Sequence, residues 1–285
     1  MNKLFQIGSL VFSLIYPENL TFPPNFLLFE TRQGIPEYTY QLRIADKIFP
    51  PEGKTIALRS DLAVYQTSSG ETRLIGIKGQ DAFYACYQEI SETQAEVLLS
   101  VHKIRDLHID PVFTSMFALE RHMIKRDSLI LHCAYMVYQG KAILFSAPSG
   151  IGKSTQAGLW ERYRGAEIVN GDRALLRKIN GSWAACGWPV CGSSDICLLG
   201  DTPIHAIIML RQGHSNHVEP LSPIQAFAEL YAQITINQWN HKFVQHALEL
   251  IEDLIGQVPV YQLTCNMTED AVSCLEHALF SESNF

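Results

Sequence analysis

The sequence of 285 residues contains no run of about eighteen consecutive apolar residues, so no membrane-spanning helix is expected from it. It also lacks an excess of positive charge. Twenty-two lysines and arginines face 29 acidic residues, giving a net charge of −7, and only 18% of residues are charged. Proteins that hold nucleic acid draw on many phosphate contacts, so an acidic chain is expected to bind none, although a local basic pocket for a small anion stays open. Seven cysteines are present (Cys86, Cys133, Cys186, Cys191, Cys197, Cys265 and Cys274), yet no C-x-x-C pair occurs among them. That spacing excludes the usual zinc templates and leaves buried, reduced thiols in a cytoplasmic protein as the expectation. No linker rich in serine, glycine or proline interrupts the chain, and no internal repeat recurs.

What is present reads as a folded protein of one or two domains, with 47% hydrophobic and 10% aromatic residues. The N-terminal run from Met1 to Ile15 is broken by Gln6, Gly8 and Ser9, and no small-residue cleavage site follows. It reads as two strands around a Gly8-Ser9 break rather than as a secretory leader. Short alternating segments at Thr39–Ile44, Ile56–Arg59 and Arg73–Lys78, with turn signals at Pro50–Gly53 and Ser68–Gly70, make residues 1–110 a β-rich region. A helix is expected over 112–124, where Phe113, Met116, Phe117, Leu119 and Met123 recur at helical spacing. Residues 111–285 then read as a mixed α/β domain. Two apolar runs, 129–138 and 142–146, flank a turn at Gln139-Gly140-Lys141, and a helix follows from Lys153 to Arg164 with Gly165 as its cap. A short strand covers 167–169. A hairpin is centred on Asn180-Gly181, and a capping box at Ser222-Pro223-Ile224-Gln225 opens the first of the C-terminal helices. That helix carries Ile224, Phe227, Leu230, Tyr231 and Ile234 on one face.

The segment Ala147 to Thr155 carries the chemistry. It follows a strand, precedes a helix, and matches the P-loop spacing G-x4-G-K-[ST], with Ala147 in the first glycine position. A glycine-rich turn running into a helix N-terminus presents successive backbone N–H groups to an anion. Gly150 and Gly152 permit the dihedrals, Lys153 is placed to reach β- and γ-phosphates, and the Ser154 hydroxyl to bind Mg²⁺. Asp172 lies nineteen positions beyond Lys153 at the end of the short strand. A carboxylate there can hold Mg²⁺ or accept a proton, while Asn170-Gly171-Asp172 also reads as a plain Asx turn. His132 on its apolar run reads first as a core histidine.

The order His132, the loop 147–155, Arg164-Gly165, a strand and Asp172 resembles the HPr kinase/phosphorylase family, whose nucleotide-binding fold is shared with phosphoenolpyruvate carboxykinases. The resemblance is close over about residues 128–176. It implies a P-loop domain of that fold behind the β-rich region. It implies that Ser149, Gly150, Ile151, Gly152, Lys153, Ser154 and Thr155 bind ATP, that Ser154 and Asp172 hold Mg²⁺, and that Asp172, Lys153 and His132 serve phosphoryl transfer. It further implies an alcohol acceptor, a serine of a peptide or protein or a small metabolite, and homo-oligomerisation. The sequence departs from the family pattern in three places. Gly171 stands where a first aspartate is expected, Thr155 where a glutamate is usual, and residues 187–195 replace a downstream metal-ligand segment. Gly192, Ser193, Ser194 and Asp195 are therefore candidates for the acceptor side. The departures keep a second expectation open, an ATP-binding regulatory or scaffold protein without transfer activity.

Overall fold

The computed structural model describes residues 1–18, 20–80 and 82–281. The chain forms two compact units, Met1–His122 and Met123–Phe285.

The first unit is a nine-stranded mixed sheet. Its strands are β1 (Asn2–Ile7), β2 (Leu10–Ile15), β3 (Glu30–Thr31), β4 (Tyr38–Ala45), β5 (Lys54–Arg59), β6 (Leu62–Gln66), β7 (Glu71–Gly76), β8 (Phe83–Ser91) and β9 (Gln94–Ser100), in the order β3-β1-β2-β4-β9-β8-β7-β6-β5. Gly8, at φ 59°, turns β1 into β2, so the apolar N-terminal run is a hairpin, as its alternation predicts. Besides a single turn α1 (Pro24–Leu27), the unit carries α2 (Asp110–Ser115) and α3 (Leu119–Ile124). The single helix expected over 112–124 is thus two, because Ala118 between them sits at φ 49° and breaks the hydrogen-bond ladder. Residues 111–122, grouped by sequence with the second domain, pack on the first sheet. The Tyr40 hydroxyl donates to Phe117 O at 2.8 Å, and Arg121 pairs with Glu89 at 2.6 Å. Phe113 and Phe117 complete an aromatic cluster, mostly edge-to-face, with Phe26, Tyr40 and Phe12.

The second unit contains β10 (Ser128–Tyr138), β11 (Lys141–Ser146), α4 (Lys153–Arg164), β12 (Glu167–Asn170), β13 (Arg173–Ile179) and β14 (Ser182–Cys186). It continues with β15 (Asp201–Gln212), β16 (His217–Pro220), α5 (Pro223–Gln233), α6 (His241–Gln257), β17 (Val260–Cys265) and α7 (Glu269–Phe280). The sheet order is β11-β10-β13-β14-β15-β17-β16, with β12 on β10. Because β11 also pairs in parallel with β15, the strands β10, β11, β15, β14 and β13 close on themselves. With one mixed sheet in each unit and helices packed on the second, the protein is mixed α/β, as expected.

Period-two alternation divides the core of this unit. Leu131, Cys133 and Tyr135 of β10, Leu144 of β11 and Met209 of β15 point to one side, where Leu230 of α5 and Ile251 of α6 cover them. Ala134, Met136, Ile143, Phe145 and Ile208 point to the other, against Ala157 and Trp160 of α4 and Leu275 of α7. The capping box of α5 forms as its sequence predicts, but Ile224 is 84% exposed, and Ala226 and Leu230 are the residues that α5 buries. Arg164 at the end of α4 binds Glu276 of α7 at 2.6 Å, and Gly165 caps the helix at φ 67°. The Arg-Gly pair is accordingly a structural clasp and cap. Among the described residues no helix is long and apolar enough to cross a membrane.

Candidate functional site

The loop 147–152 leaves the end of β11 in the middle of the sheet and runs into α4. Pro148, Ser149 and Gly150 are exposed, while Ala147 is buried in the core below them. Gly150 and Gly152 stand at φ 84° and 120°, with open space where a Cβ would lie. Backbone conformation, not crowding, therefore demands glycine at both. Ala147 is outside the left-handed region, so alanine there costs no strain. Lys153 folds back on the loop, and its Nζ donates to Ala147 O at 3.0 Å and Pro148 O at 3.4 Å. Burial pushes the ammonium below the ordinary lysine range, and the charge of Asp172 offsets part of that push. Ser154 and Thr155 are exposed in the first turn, where helix N–H groups have no partner within the helix.

Asp172 belongs to the turn between β12 and β13. Asn170 Oδ1 accepts from the N–H groups of Asp172 and Arg173, both at 2.9 Å, so the Asx turn expected from the sequence is present. That turn also aims the Asp172 carboxylate at His132 and Arg173. His132 Nε2 lies 3.4 Å from Oδ1, and Arg173 Nε 3.1 Å from Oδ2. Burial would raise the carboxyl, but the hydrogen bond from His132 and the charges of Arg173, His132 and Lys153 outweigh it and hold it below the usual range. The Ser154 hydroxyl donates to Gly171 O at 3.2 Å, tying the first turn of α4 to the Asp172 turn. The fold thus brings His132 of β10, Lys153 and Ser154 of α4, and Asp172 of the β12–β13 turn to one place.

Residues 187–195 come to the same place. Asn170 Nδ2 donates to Trp188 O at 2.9 Å, and a Cβ on Gly192 would stand 3.1 Å from the Asp172 side chain. A Cβ on Gly171 would meet Ser194 Oγ at 2.2 Å, so Ser194 fills the space that any larger residue at 171 would need. Asp195 sits in the left-handed region at φ 55°. Arg211 pairs with Glu229 at 3.0 Å. All seven cysteines are free thiols, and burial, with Asp172 nearby, raises the Cys133 thiol well above its usual range.

The family model of the SynChlorMet cassette protein ScmC matches residues 98–280, more than half of the chain. The chain belongs to the SynChlorMet cassette protein ScmC family. No curated protein matches it in sequence. This ScmC-family chain is similar to the solved structure of the Hpr(Ser) kinase/phosphatase from Coxiella burnetii, at 13% identity and a TM-score of 0.31. The similarity spans 52% of this chain and 91% of that one.

Three features of the ScmC-family site escape motif reading. Gln233, at the end of α5, faces His132 Nδ1 at 3.3 Å, because a bridge between Leu131 and Ile234 brings α5 to β10. Ser146 Oγ donates to His132 O at 2.8 Å from beneath. On the flank of the loop formed by the ends of β15 and β17 lies a pocket of about 650 Å³, reached by Gly150, Gly152, Thr155 and Gln156. Gln156 directly follows the loop motif, and the end of β17 brings Cys265 and Asn266 against it.

Proposed function

We propose that the second unit binds Mg·ATP at the loop 147–152 and transfers the γ-phosphoryl group to a hydroxyl, borne by a serine of a peptide or protein or by a small metabolite. The observation that carries this reading is the convergence of Lys153, Ser154 and Asp172 at one end of the sheet, tied through the Ser154–Gly171 hydrogen bond. The first-turn N–H groups of α4, which a helix cannot satisfy internally, and the two glycine dihedrals suit a chain of phosphates. Lys153 spends its donors on two loop carbonyls. Phosphate oxygens are stronger acceptors, so the ammonium exchanges partners on binding and recovers its ordinary basicity.

Among the described residues no cluster of three or more His, Cys, Asp or Glu could cage a metal ion. That fits Mg²⁺ in a nucleotide site, where one or two protein oxygens act beside waters and phosphates. Ser154 Oγ and the Asp172 carboxylate are the oxygens that would hold it. The ion would neutralise phosphate charge. Asp172 takes the proton of the acceptor hydroxyl, and His132 and Arg173 hold its carboxylate ionised and oriented.

The test is an equilibrium titration with Mg·ATP. Lys153→Met is expected to weaken binding roughly 10- to 100-fold, the value of a charge-assisted hydrogen bond. Equal affinity in the two proteins would remove Lys153, and with it the loop, from the nucleotide site.

A further inference from the structure

Arg173 holds the Asp172 carboxylate, and its placement leaves part of the side chain for a second task. It is the first residue of β13 and the cross-strand partner of His132 on β10, so the two side chains share one face of the sheet and both meet Asp172. The guanidinium is fixed at two corners. Nε lies 3.1 Å from Asp172 Oδ2, and Nη1 donates to Thr235 Oγ1 at 3.2 Å. Thr235 is itself tied to β10, its N–H donating to Ile130 O at 2.9 Å. A guanidinium carries five N–H donors in one rigid plane, and these contacts engage two of them. Nη2 shares the edge of that plane with Nε, the edge turned to Asp172. It makes no hydrogen bond to the described residues, and it is open to solvent in a side chain that is 34% exposed, so a ligand can reach it.

Phosphoryl transfer spreads charge over three equatorial oxygens, and so far Lys153 is the one protein cation set against it. Arg164, Arg177 and Arg211 are paired with Glu276, Asp201 and Glu229, none of them a residue of the site. Arg173 differs from these three in that its carboxylate partner is Asp172. Its charge also acts on Lys153, where burial first and then Arg173 push the ammonium down, so the two cations border one space. A hydroxyl that gives its proton to Asp172 stands about 2.6–3.2 Å from the carboxylate, and the phosphorus it attacks about 3–3.5 Å beyond. A guanidinium 3.1 Å from that same carboxylate comes within a hydrogen bond of the phosphoryl oxygens.

Resting on the proposed transfer site, we propose that Arg173 is a catalytic residue whose Nη2 donates to a γ-phosphoryl oxygen as the group crosses to the acceptor. The acceptor oxygen forms its bond to the γ-phosphorus while the bond from that phosphorus to the β–γ bridging oxygen breaks. The hydroxyl proton passes to Asp172, and ADP leaves with the electron pair of the broken bond. Nε stays on Asp172 while Nη2 takes the phosphoryl oxygen, so one rigid plane sets the spacing between the base and the group being attacked. A lysine at 173 would supply the charge but not the two contacts side by side.

The experiment measures ADP affinity, in Mg²⁺ and with or without aluminium fluoride, for the wild-type chain, Arg173→Met, Arg173→Lys, Asp172→Asn and the double variant Arg173→Met with Asp172→Asn. Melting temperatures are the folding control. Beside bound ADP, aluminium fluoride stands in for the phosphoryl group in flight and water for the acceptor. Wild type is expected to bind ADP roughly 100-fold or more tighter with the fluoride, as a transition-state analogue does. Arg173→Met is expected to cut that gain roughly tenfold or more, the value of a charge-assisted hydrogen bond, while affinity for ADP alone stays within about twofold. Arg173→Lys is expected to fall between the two, and the loss from Arg173→Met is expected to persist beside Asp172→Asn. A gain in Arg173→Met equal to that of wild type would overturn the proposal and leave the nucleotide site intact. A loss seen only while Asp172 is present would also overturn it, since Arg173 would then act through the carboxylate alone. Folded wild-type protein that binds ADP with no gain from the fluoride would overturn the transfer reading, and failure to bind ADP would overturn the nucleotide site. Either result removes this inference too.

Discussion

At the scale of single residues, Gly171 explains the main departure from the expected pattern. It lies outside the left-handed region, so its requirement is space rather than conformation. Ser194 Oγ and Cβ would lie 2.2 and 2.3 Å from a Cβ at 171, and serine has no length with which to retreat. Gly171→Ala should therefore displace the loop that also touches Asp172, at a cost of roughly 1–3 kcal/mol. Ser194→Gly in the same chain should restore most of that stability, and the coupling is read from a double-mutant cycle of urea melts. Independent, additive effects would show that the two residues do not compete for one space. The same region shows where residue-level reading reaches and where it stops. Gly150, Gly152, Lys153 and Asp172 were legible because their spacing encodes local backbone chemistry. Gln233 was not, because it meets the site through a tertiary contact far along the chain.

At the scale of elements, α4 joins the loop to the core. Trp160 is fully buried between α4 and the sheet, 5.2 Å edge-on from Tyr138, and its indole N–H has no partner among the described residues. Trp160→Ala should cost about 3–5 kcal/mol, whereas Trp160→Phe should cost less than about 1.5, since it also removes the unpaired donor. Chemical denaturation checks both, and a similar loss for the two would contradict the packing argument. Helix α4 and the hairpin β13–β14 were readable from local signals: a lysine start, a glycine cap, and Asn180-Gly181 at φ 52° and 85°. The long strand β15 was not read. Its apolar run, Ala206 to Leu210, lies buried on both faces, and such runs lack the alternation that marks a half-exposed strand. The segment 112–124 failed in the opposite way. Its helical period was real, but the positive φ of Ala118, held in the core of the first unit, is a tertiary effect that no local pattern announces.

At the scale of the whole molecule, the family match at 98–280 takes in most of the second unit and the last part of the first. The first unit holds its own core and a buried group of charges, in which Arg73 and Arg121 pair with Glu71, Glu89 and Glu120. The proposed chemistry is confined to the second unit, where one sheet end gathers a flexible cation, a hydroxyl and a carboxylate held ionised by its neighbours. The most direct test of that account is transfer from ATP labelled at the γ-phosphate, with Mg²⁺ and an extract of the source cells, by wild-type protein and Asp172→Asn. The account predicts label in a peptide, protein or small-molecule acceptor that falls roughly 10²- to 10⁴-fold with Asp172→Asn, while ATP binding survives. Equal labelling by both proteins would contradict the role of Asp172. Absence of label in a protein that still binds Mg·ATP would contradict transfer and leave a nucleotide-binding regulator in its place.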